Sequence, residues 1–169
     1  MEPCICQSLN YLSYGLYVVT SATATQKNGL IVNTAFQVSA DPAKIAVCIC
    51  KNSYTHTIIA TSRIFALMPL EQSTPLPFIG NFGFRTGRTF DKFAKVPYTL
   101  ARTGAPLVQK HALSCIEAQV EQLVDVGTHT LFIGSVCAGQ IFKPQGIPLT
   151  YEYYHTVIKG KTPPGATHL

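Results

Sequence analysis

The chain has 169 residues, of which 47% are hydrophobic and only 12% are charged. Disordered chains are poor in apolar residues and rich in net charge, so this composition excludes that class. A chain of this length can bury a sizeable core. We therefore expect residues 1–169 to form a single globular domain.

The net charge of +5 is concentrated in one segment of the chain. Five of the thirteen lysines and arginines lie between Arg85 and Arg102, a stretch that holds a single acid, Asp91. Nucleic-acid-binding surfaces spread their cations along a face or stripe, whereas this local cluster suits one bound anion. The sequence therefore predicts a small anionic ligand and no nucleic-acid partner.

No membrane span, export signal or metal site is predicted. No apolar run approaches the roughly 18 residues that a span needs, and the N-terminus lacks signal-peptide features, so we expect a cytoplasmic protein with no membrane association. The six cysteines are expected to be thiols, because a chain of this size folds without disulfides. The triplets 4–6 and 48–50 read Cys-Ile-Cys and lack the C-x-x-C spacing of zinc and iron–sulfur ligands.

Strand-like segments dominate the chain. Short runs rich in β-branched residues, bounded by Gly, Asp or Pro, predict strands over 16–20, 45–50, 113–120 and 130–136. The Asn28-Gly29 pair lies between two apolar runs and predicts a hairpin turn, with the first two strands antiparallel. Many strands with short gaps favour a closed or nearly closed barrel, which hides its edges.

Helices are few and short. One is predicted over 53–62, with Asn52 or Ser53 as its cap, and a second begins at 73–75 with Pro75 in its first turn. The stretch from about residue 159 is rich in Lys, Gly and Pro and predicts an extended C-terminal arm.

Two segments of the chain are candidates for a phosphate-binding motif. Residues 83–89 have three residues between their glycines, and Arg88 where a P-loop has lysine, so they fail that pattern. No G-x-G-x-x-G follows a strand, so neither a nucleotide triphosphatase nor a Rossmann dinucleotide domain is supported. Residues 51–56, Lys-Asn-Ser-Tyr-Thr-His, lie where a strand ends and a helix begins, so N–H groups, hydroxyls and Lys51 would converge on a phosphate monoester. An ordinary capped helix with a solvated lysine is an equally good interpretation.

Catalytic dyads are not recognisable. There is no nucleophile elbow, no cysteine in a protease signature and no pair of close carboxylates, so hydrolase and glycosidase functions have no support. His56, His129 and His155 share no short motif, and a lone histidine at a strand edge is commonly structural.

Several ordered segments resemble the flavin reductase-like, FMN-binding split-barrel family. They are 13–21, 33–38, 45–56, 78–85, 127–134, 153–155 and 159–163. Together they cover nearly the whole chain, and their joint order and spacing carry the resemblance. The sequence is most similar to the subgroup of prokaryotic ferric reductases, flavoredoxin and the flavin domain of high-molecular-weight rubredoxins.

The resemblance implies a mainly β fold, a six-stranded antiparallel split β-barrel of Greek-key type with a few short helices. It also implies a homodimer with FMN near the subunit interface. The resemblance implies that the edge of the flavin ring is lined by Asn33, Thr34, Ala35, Phe36 and Gln37. It implies that the ribityl chain and phosphate contact Lys51, Asn52, Ser53, Thr55 and His56. A second implied segment on the phosphate side is formed by Phe84, Arg85, Thr86, Gly87 and Arg88.

Two further residues match family positions close to the flavin and are the predicted catalytic residues, His129 and Cys48. The alternative for Cys48 is a small buried hydrophobe inside a strand. The alternative for His129 is a structural residue that hydrogen-bonds a turn.

A flavin carries redox chemistry itself, so the absence of an acid–base dyad agrees with this resemblance. The implied activity is an oxidoreductase that passes electrons from NAD(P)H through FMN to an acceptor such as a ferric chelate or flavin. An FMN electron carrier reduced by a partner protein, and a non-catalytic flavin-binding barrel, are the open alternatives. The partner is accordingly a small-molecule or protein redox partner.

Overall fold

A computed structural model describes residues 8–9, 11–163 and 166 of the chain. Its strands are β1 (Tyr17–Ala22), β2 (Lys27–Val32), β3 (Ala35–Ala40), β4 (Ala43–Cys50), β5 (Ile64–Pro69), β6 (Thr99–Leu100), β7 (Pro106–Leu107), β8 (Ser114–Asp125) and β9 (His129–Ile141). Its helices are α1 (Tyr54–Ser62), α2 (Leu76–Gly83) and α3 (Tyr151–Thr156). α1 is the longest helix in these described ranges, at nine residues, so no helix there could cross a membrane.

Seven strands form one antiparallel sheet in the order β2-β1-β5-β8-β9-β4-β3, and β6 pairs with β7 in a separate ribbon. The mainly β, antiparallel class predicted from the sequence is confirmed. The sheet has one strand more than the six implied, because β3 follows β2 after two residues and pairs along the outer side of β4. The sheet does not close, since β2 and β3 remain its two edges, although β2 also contacts β4.

Two apolar cores stabilise this arrangement. One fills the space between the curved sheet and α1 and includes Val19, Val47, Ile59, Phe65 and Phe132. The other packs α2, α3 and the β6–β7 ribbon against the opposite side of β1 and β5. β1 contributes alternate residues to both cores, which is why its burial is nearly continuous.

The predicted hairpin exists, but its turn lies elsewhere. β1 and β2 pair antiparallel, and the turn is closed by the Thr23 N–H donating to the Gln26 carbonyl at 2.8 Å. Asn28 and Gly29 lie inside β2, opposite Ser21 and Thr20. A Cβ on Gly29 would come within 3.1 Å of both Phe82 and Thr20. Glycine at this position therefore allows close packing inside the strand and does not form a turn.

The helix predictions are close to the structure. Ser53 caps α1, its side chain accepting from the His56 N–H at 3.3 Å, as one of the two candidates predicted. α2 begins one residue after Pro75, which is its N-cap, and Pro77 occupies its first turn.

The C-terminal segment folds back on its own chain as far as the structure describes it. The Gly160 N–H donates to the Tyr154 carbonyl at 2.8 Å, and the Tyr154 hydroxyl donates to the Lys161 carbonyl at 3.0 Å. Tyr151 and Thr162 share a hydroxyl hydrogen bond of 2.7 Å. The remainder of the predicted arm, residues 164–165 and 167–169, lies outside the described residues.

Candidate functional site

A cleft of about 370 Å³ opens where β2, the end of β4, the first turn of α1 and the loop after α2 meet. Predicted site residues that line it are Asn33, Cys48, Asn52, Ser53, Thr55, Phe84, Arg85, Thr86, Gly87 and His129. Unpredicted ones include Asn28, Ile31, Val32, Cys50, Phe82, Lys92, Tyr151 and Pro163. Ten of the seventeen predicted residues therefore share one cavity.

A buried lysine lines this cleft. Lys92 is only 4% exposed, and its Nζ donates to the backbone carbonyls of Gly29 and Phe82, both at 2.8 Å. Burial lowers the pKa of Lys92 to about 8, so the side chain is still largely protonated at pH 7. An ammonium has three protons, and these two carbonyls account for two of them.

Asn28 ties the loop after α2 to the first turn of α1. Its side-chain amide donates to the Thr55 hydroxyl at 3.0 Å, and both residues are buried. Gly87 lies directly against the Asn28 side chain, where a Cβ would overlap the amide. The loop can approach Asn28 on β2 this closely only because residue 87 has no side chain.

The helix terminus beside this loop favours negative charge. The first turn of α1 has no acidic residue, and the positive end of the helix dipole points out of it. Arg85, on the loop after α2, also lines the cleft, with its guanidinium 4.1 Å from the centre of the Phe90 ring. This part of the cleft is therefore suited to an anion.

Lys51 does not contribute to that site, contrary to the interpretation of residues 51–56. Its ammonium pairs with Asp125 at 2.6 Å on the surface. The cause is the β8–β9 turn, which comes alongside the end of β4 and lets the Lys51 N–H donate to the Thr128 carbonyl at 3.1 Å. Asp125 also accepts from the Gly127 N–H at 2.9 Å, and these contacts keep its pKa below the ordinary range.

The cleft is also lined by the two predicted catalytic residues, Cys48 and His129. Cys50 lies directly opposite His129 in the β4–β9 ladder, and Cys48 lies two residues before it on the same face of β4. His129 is buried, and its Nδ1 shares a hydrogen bond of 2.8 Å with the Thr128 hydroxyl. Burial, with a smaller effect from Cys50, raises the pKa of Cys48, so it is a neutral thiol at pH 7.

Most residues of the predicted ring-edge group lie away from the cleft. Of that group only Asn33 lines it, because Thr34 begins the passage to β3, which lies outside β4 at the sheet edge. Ala35 and Gln37 lie on β3, where the Gln37 side chain donates to the Ser39 carbonyl. Phe36, on the same strand, is half exposed.

Two other predicted residues have different surroundings. His56 contacts Thr130 through Nε2 at 2.8 Å and packs its ring against Phe132. Burial, and secondarily Lys51, lowers the pKa of His56. Arg88 lies over the Tyr54 ring at 5.1 Å and lines a neighbouring cavity of about 350 Å³.

Sequence reasoning missed several lining residues. Lys92 stood in the cationic segment but was not assigned to the site, and Asn28 was interpreted as a turn residue. The triplet Cys48-Ile49-Cys50 lies in a predicted strand, so Cys50 shares a strand face with the predicted site residue Cys48, and this pattern could have identified it. Tyr151 was not indicated by the sequence, and Pro163 was noted only as part of segment 159–163 with no role in the site, because both reach the cleft through the folding back of the C-terminal segment.

No metal centre was found among the described residues, which contain no cluster of three metal-binding side chains. The four described cysteines, Cys48, Cys50, Cys115 and Cys137, are free thiols. Cys4 and Cys6 lie outside the described residues.

Comparison with known proteins identifies the family. The model of the flavin reductase like domain matches residues 9–158. The ferric-chelate reductase (NAD(P)H) of Archaeoglobus fulgidus is 47% identical over 156 residues, which cover 92% of each chain. The high molecular weight rubredoxin of Moorella thermoacetica is 43% identical over 157 residues, covering 93% of this chain and 68% of that protein.

Solved structures agree with this result. The flavin reductase PheA2 superposes with a TM-score of 0.73 at 26% identity, covering 89% of this chain and 93% of the other. The NADH:FAD oxidoreductase SgcE6 of Streptomyces globisporus has a TM-score of 0.78 at 24% identity, covering 86% and 85% of the two chains, and supports the fold. The chain therefore belongs to the flavin reductase-like family and is an oxidoreductase of that family.

Proposed function

We propose that this chain binds FMN in the cleft and passes electrons from NAD(P)H to a small acceptor such as a ferric chelate or free flavin. The observation that carries the proposal is that one cleft is lined both by the buried Lys92 ammonium and by His129 and Cys48. A cation buried in a cleft suits a ligand with an anionic terminus, and a flavin mononucleotide has one.

The residues present fit this cofactor. The cavity volume lies in the range of about 300–1,000 Å³ that is usual for small-molecule sites. The phosphate would bind at Lys92, Arg85 and the first turn of α1, all of which contribute residues to the cleft. The ring would lie toward Cys48, Cys50 and His129, against the apolar side chains of Ile31 and Val32.

Bound flavin would supply the two-electron chemistry, and the chain would orient it and control protons. His129 has one ring nitrogen engaged with Thr128, which leaves Nε2 to donate a hydrogen bond or hold a proton at the ring end of the cleft. Cys48, as a neutral thiol, would pack against the ligand without adding charge there.

The named activity of the Archaeoglobus relative supports NAD(P)H as the electron donor and a ferric chelate as one acceptor. That relative matches this chain over nearly its whole length, so the likeness is not confined to a shared module. We therefore expect the present chain to use a nicotinamide donor as well.

We also propose that the chain is a homodimer. β3 is an edge strand whose exposed face carries the apolar side chains Phe36 and Val38, which are 50% and 48% exposed. An unpaired edge with apolar residues favours association. β3 follows directly on Asn33, which lines the cleft, so an interface there would lie next to the bound cofactor.

An FMN electron carrier reduced by a partner protein is the second candidate function. The observation in its favour is the likeness to the high molecular weight rubredoxin, of which this chain spans 68%. In that case a protein, rather than a nicotinamide, would deliver the electrons.

One experiment tests the proposal and separates the two functions. The purified chain is expected to be yellow, with FMN released on denaturation, and anaerobic addition of NADPH or NADH should bleach the flavin absorbance. Re-oxidation by a ferric chelate should follow. A yellow protein that neither nicotinamide reduces would favour the electron carrier, and a protein that binds no flavin would refute both.

A further inference from the structure

We propose that Cys48 and Cys50 form a dithiol site for a thiophilic species that joins both sulfurs through a single atom, with trivalent arsenicals as the chemical class. The inference rests on the cleft geometry alone and does not depend on FMN binding.

The two thiols face the same space. Side chains two residues apart on a strand point to the same face, and both Cys48 and Cys50 line the cleft. Both are partly exposed, so a small reagent has access to them. By contrast, Cys115 is buried on β8, and Cys137 lies on β9 with its thiol directed to the Glu117 carbonyl.

The spacing on the strand suits one bridging atom rather than a disulfide. Residues two apart on a strand lie roughly 6.6 Å apart at Cα, with their Cβ atoms pointing in parallel. A disulfide requires a Cβ separation of about 3.8 Å, which a paired strand does not provide. Two bonds of about 2.3 Å from sulfur to a central atom span a wider gap. Both residues are paired with β9, Cys48 opposite Leu131 and Cys50 opposite His129, and the Cys48 N–H donates to the Thr34 carbonyl at 3.0 Å, which holds the two thiols at this separation.

The chemistry is a condensation with no change of oxidation state. A monosubstituted arsenic(III) oxide, R–As=O, reacts with two thiols to give R–As(S–Cys)₂ and water. Two As–S bonds form, the As–O bonds break, and the two thiol protons leave in the water molecule. The raised pKa of Cys48 favours the thiol form that supplies those protons and slows reagents that need a thiolate.

The adduct would lie beside His129, which is opposite Cys50 on the adjacent strand. It would therefore occupy the end of the cleft that carries the two predicted catalytic residues. A bound arsenical is expected to exclude any ligand that reaches this end.

The test uses phenylarsine oxide and intact-mass measurement on the full chain. The background variant carries Cys4→Ser and Cys6→Ser, because residues 4–6 form the other Cys-Ile-Cys triplet. We expect one phenylarsine per chain, retained in excess 2-mercaptoethanol and released by 2,3-dimercaptopropanol. Labelling is done on the protein as purified and again after dialysis removes bound small molecules.

Cys48→Ser and Cys50→Ser, each added to that background, should abolish retention in the monothiol, whereas Cys137→Ser should leave it intact. Circular dichroism of each variant checks that it remains folded. Retention in Cys50→Ser, loss in Cys137→Ser, or no adduct with the folded background protein in either preparation would overturn the proposal.

Discussion

The ammonium of Lys92 lies 2.8 Å from the carbonyl oxygen of Gly29, although the two residues are 63 positions apart in the chain. A second carbonyl, that of Phe82, accepts from the same group. Carbonyl dipoles only partly compensate a buried charge, which is why the pKa of Lys92 falls to about 8. An anion bound nearby would complete the compensation.

Binding of FMN should therefore weaken as the pH rises above about 8, because an anion favours protonated Lys92 and the free protein loses that proton there. The dissociation constant should rise by up to about tenfold per pH unit. Titrations by flavin fluorescence between pH 6.5 and 9.5 measure this effect. Riboflavin, which has no phosphate, is the matched ligand, and Lys92→Met should bind FMN with little pH dependence. Equal dissociation constants for FMN and riboflavin in the native protein would refute the phosphate site.

Replacing Thr55 by valine should destabilise the fold by about 1–3 kcal/mol. The change keeps the shape of the side chain but leaves the buried Asn28 amide without the hydroxyl that accepts from it at 3.0 Å. Urea denaturation measures the difference in unfolding free energy. Thr57→Val is the control, since Thr57 is exposed on the same helix. Equal effects of the two substitutions would show that this hydrogen bond contributes nothing.

His129→Ala should slow electron transfer to the acceptor by roughly tenfold or more, equivalent to about 1.4 kcal/mol at the transition state, while FMN content stays near that of the native protein. Stopped-flow re-oxidation of the reduced protein measures the rate. Thr128→Val removes only the hydroxyl that holds the His129 Nδ1 and should have a smaller effect. If His129→Ala keeps full activity and loses only thermal stability, the residue is structural.

Removing residues from Lys159 onward should loosen FMN and weaken the proposed dimer. Pro163 lines the cleft, and the Tyr154 hydroxyl anchors the segment through the Lys161 carbonyl. FMN retention on gel filtration and mass by light scattering measure the two effects. Tyr154→Phe removes only that hydroxyl and should reduce FMN retention less than the truncation does. A truncated chain with native affinity and mass would show that the segment is dispensable.

Acid should remove the stabilisation that Glu71 provides. The carboxylate accepts from Lys143 at 2.6 Å and contacts His111 at 3.1 Å, and Lys143 is the main cause that lowers its pKa from 4.5. Because the folded-state pKa is depressed, the contribution is present above pH 4.5 and is lost as the pH falls through the folded value. The native protein should exceed Glu71→Gln in unfolding free energy at pH 7, and the gap should close in acid. A gap of unchanged size between pH 7 and the lowest pH at which the protein stays folded would contradict this origin.

Local sequence signals predicted the elements well where local chemistry determines them. The Ser53 cap sets the start of α1, and β-branched runs become β1 and β4. The turn predicted at Asn28-Gly29 was wrong because tertiary contacts place this pair inside a strand. There the Asn28 side chain hydrogen-bonds Thr55, and Gly29 leaves room for the Phe82 ring.

The site was harder to predict because its residues meet through long-range pairing. The direction of Lys51 depends on Asp125, 74 positions later, which the β4–β9 register brings alongside it. Phe36 follows the alternation of a strand, and the sequence does not reveal that the strand is an outer edge. Lys92 looked like one cation among five, and only the fold buries it.

Asparagine followed by glycine is also the pair most prone to chemical ageing, in which the glycine nitrogen attacks the side-chain amide and ammonia is lost. In β2 the backbone is extended and paired with β1, and the Asn28 amide is held by Thr55, so the attack geometry is out of reach while the strand is formed. Opening of β2 would expose the pair, and the product would leave a carboxylate facing the cationic end of the cleft. Ageing of a sample would therefore add a negative charge at residue 28, where that charge would oppose the binding of a phosphate.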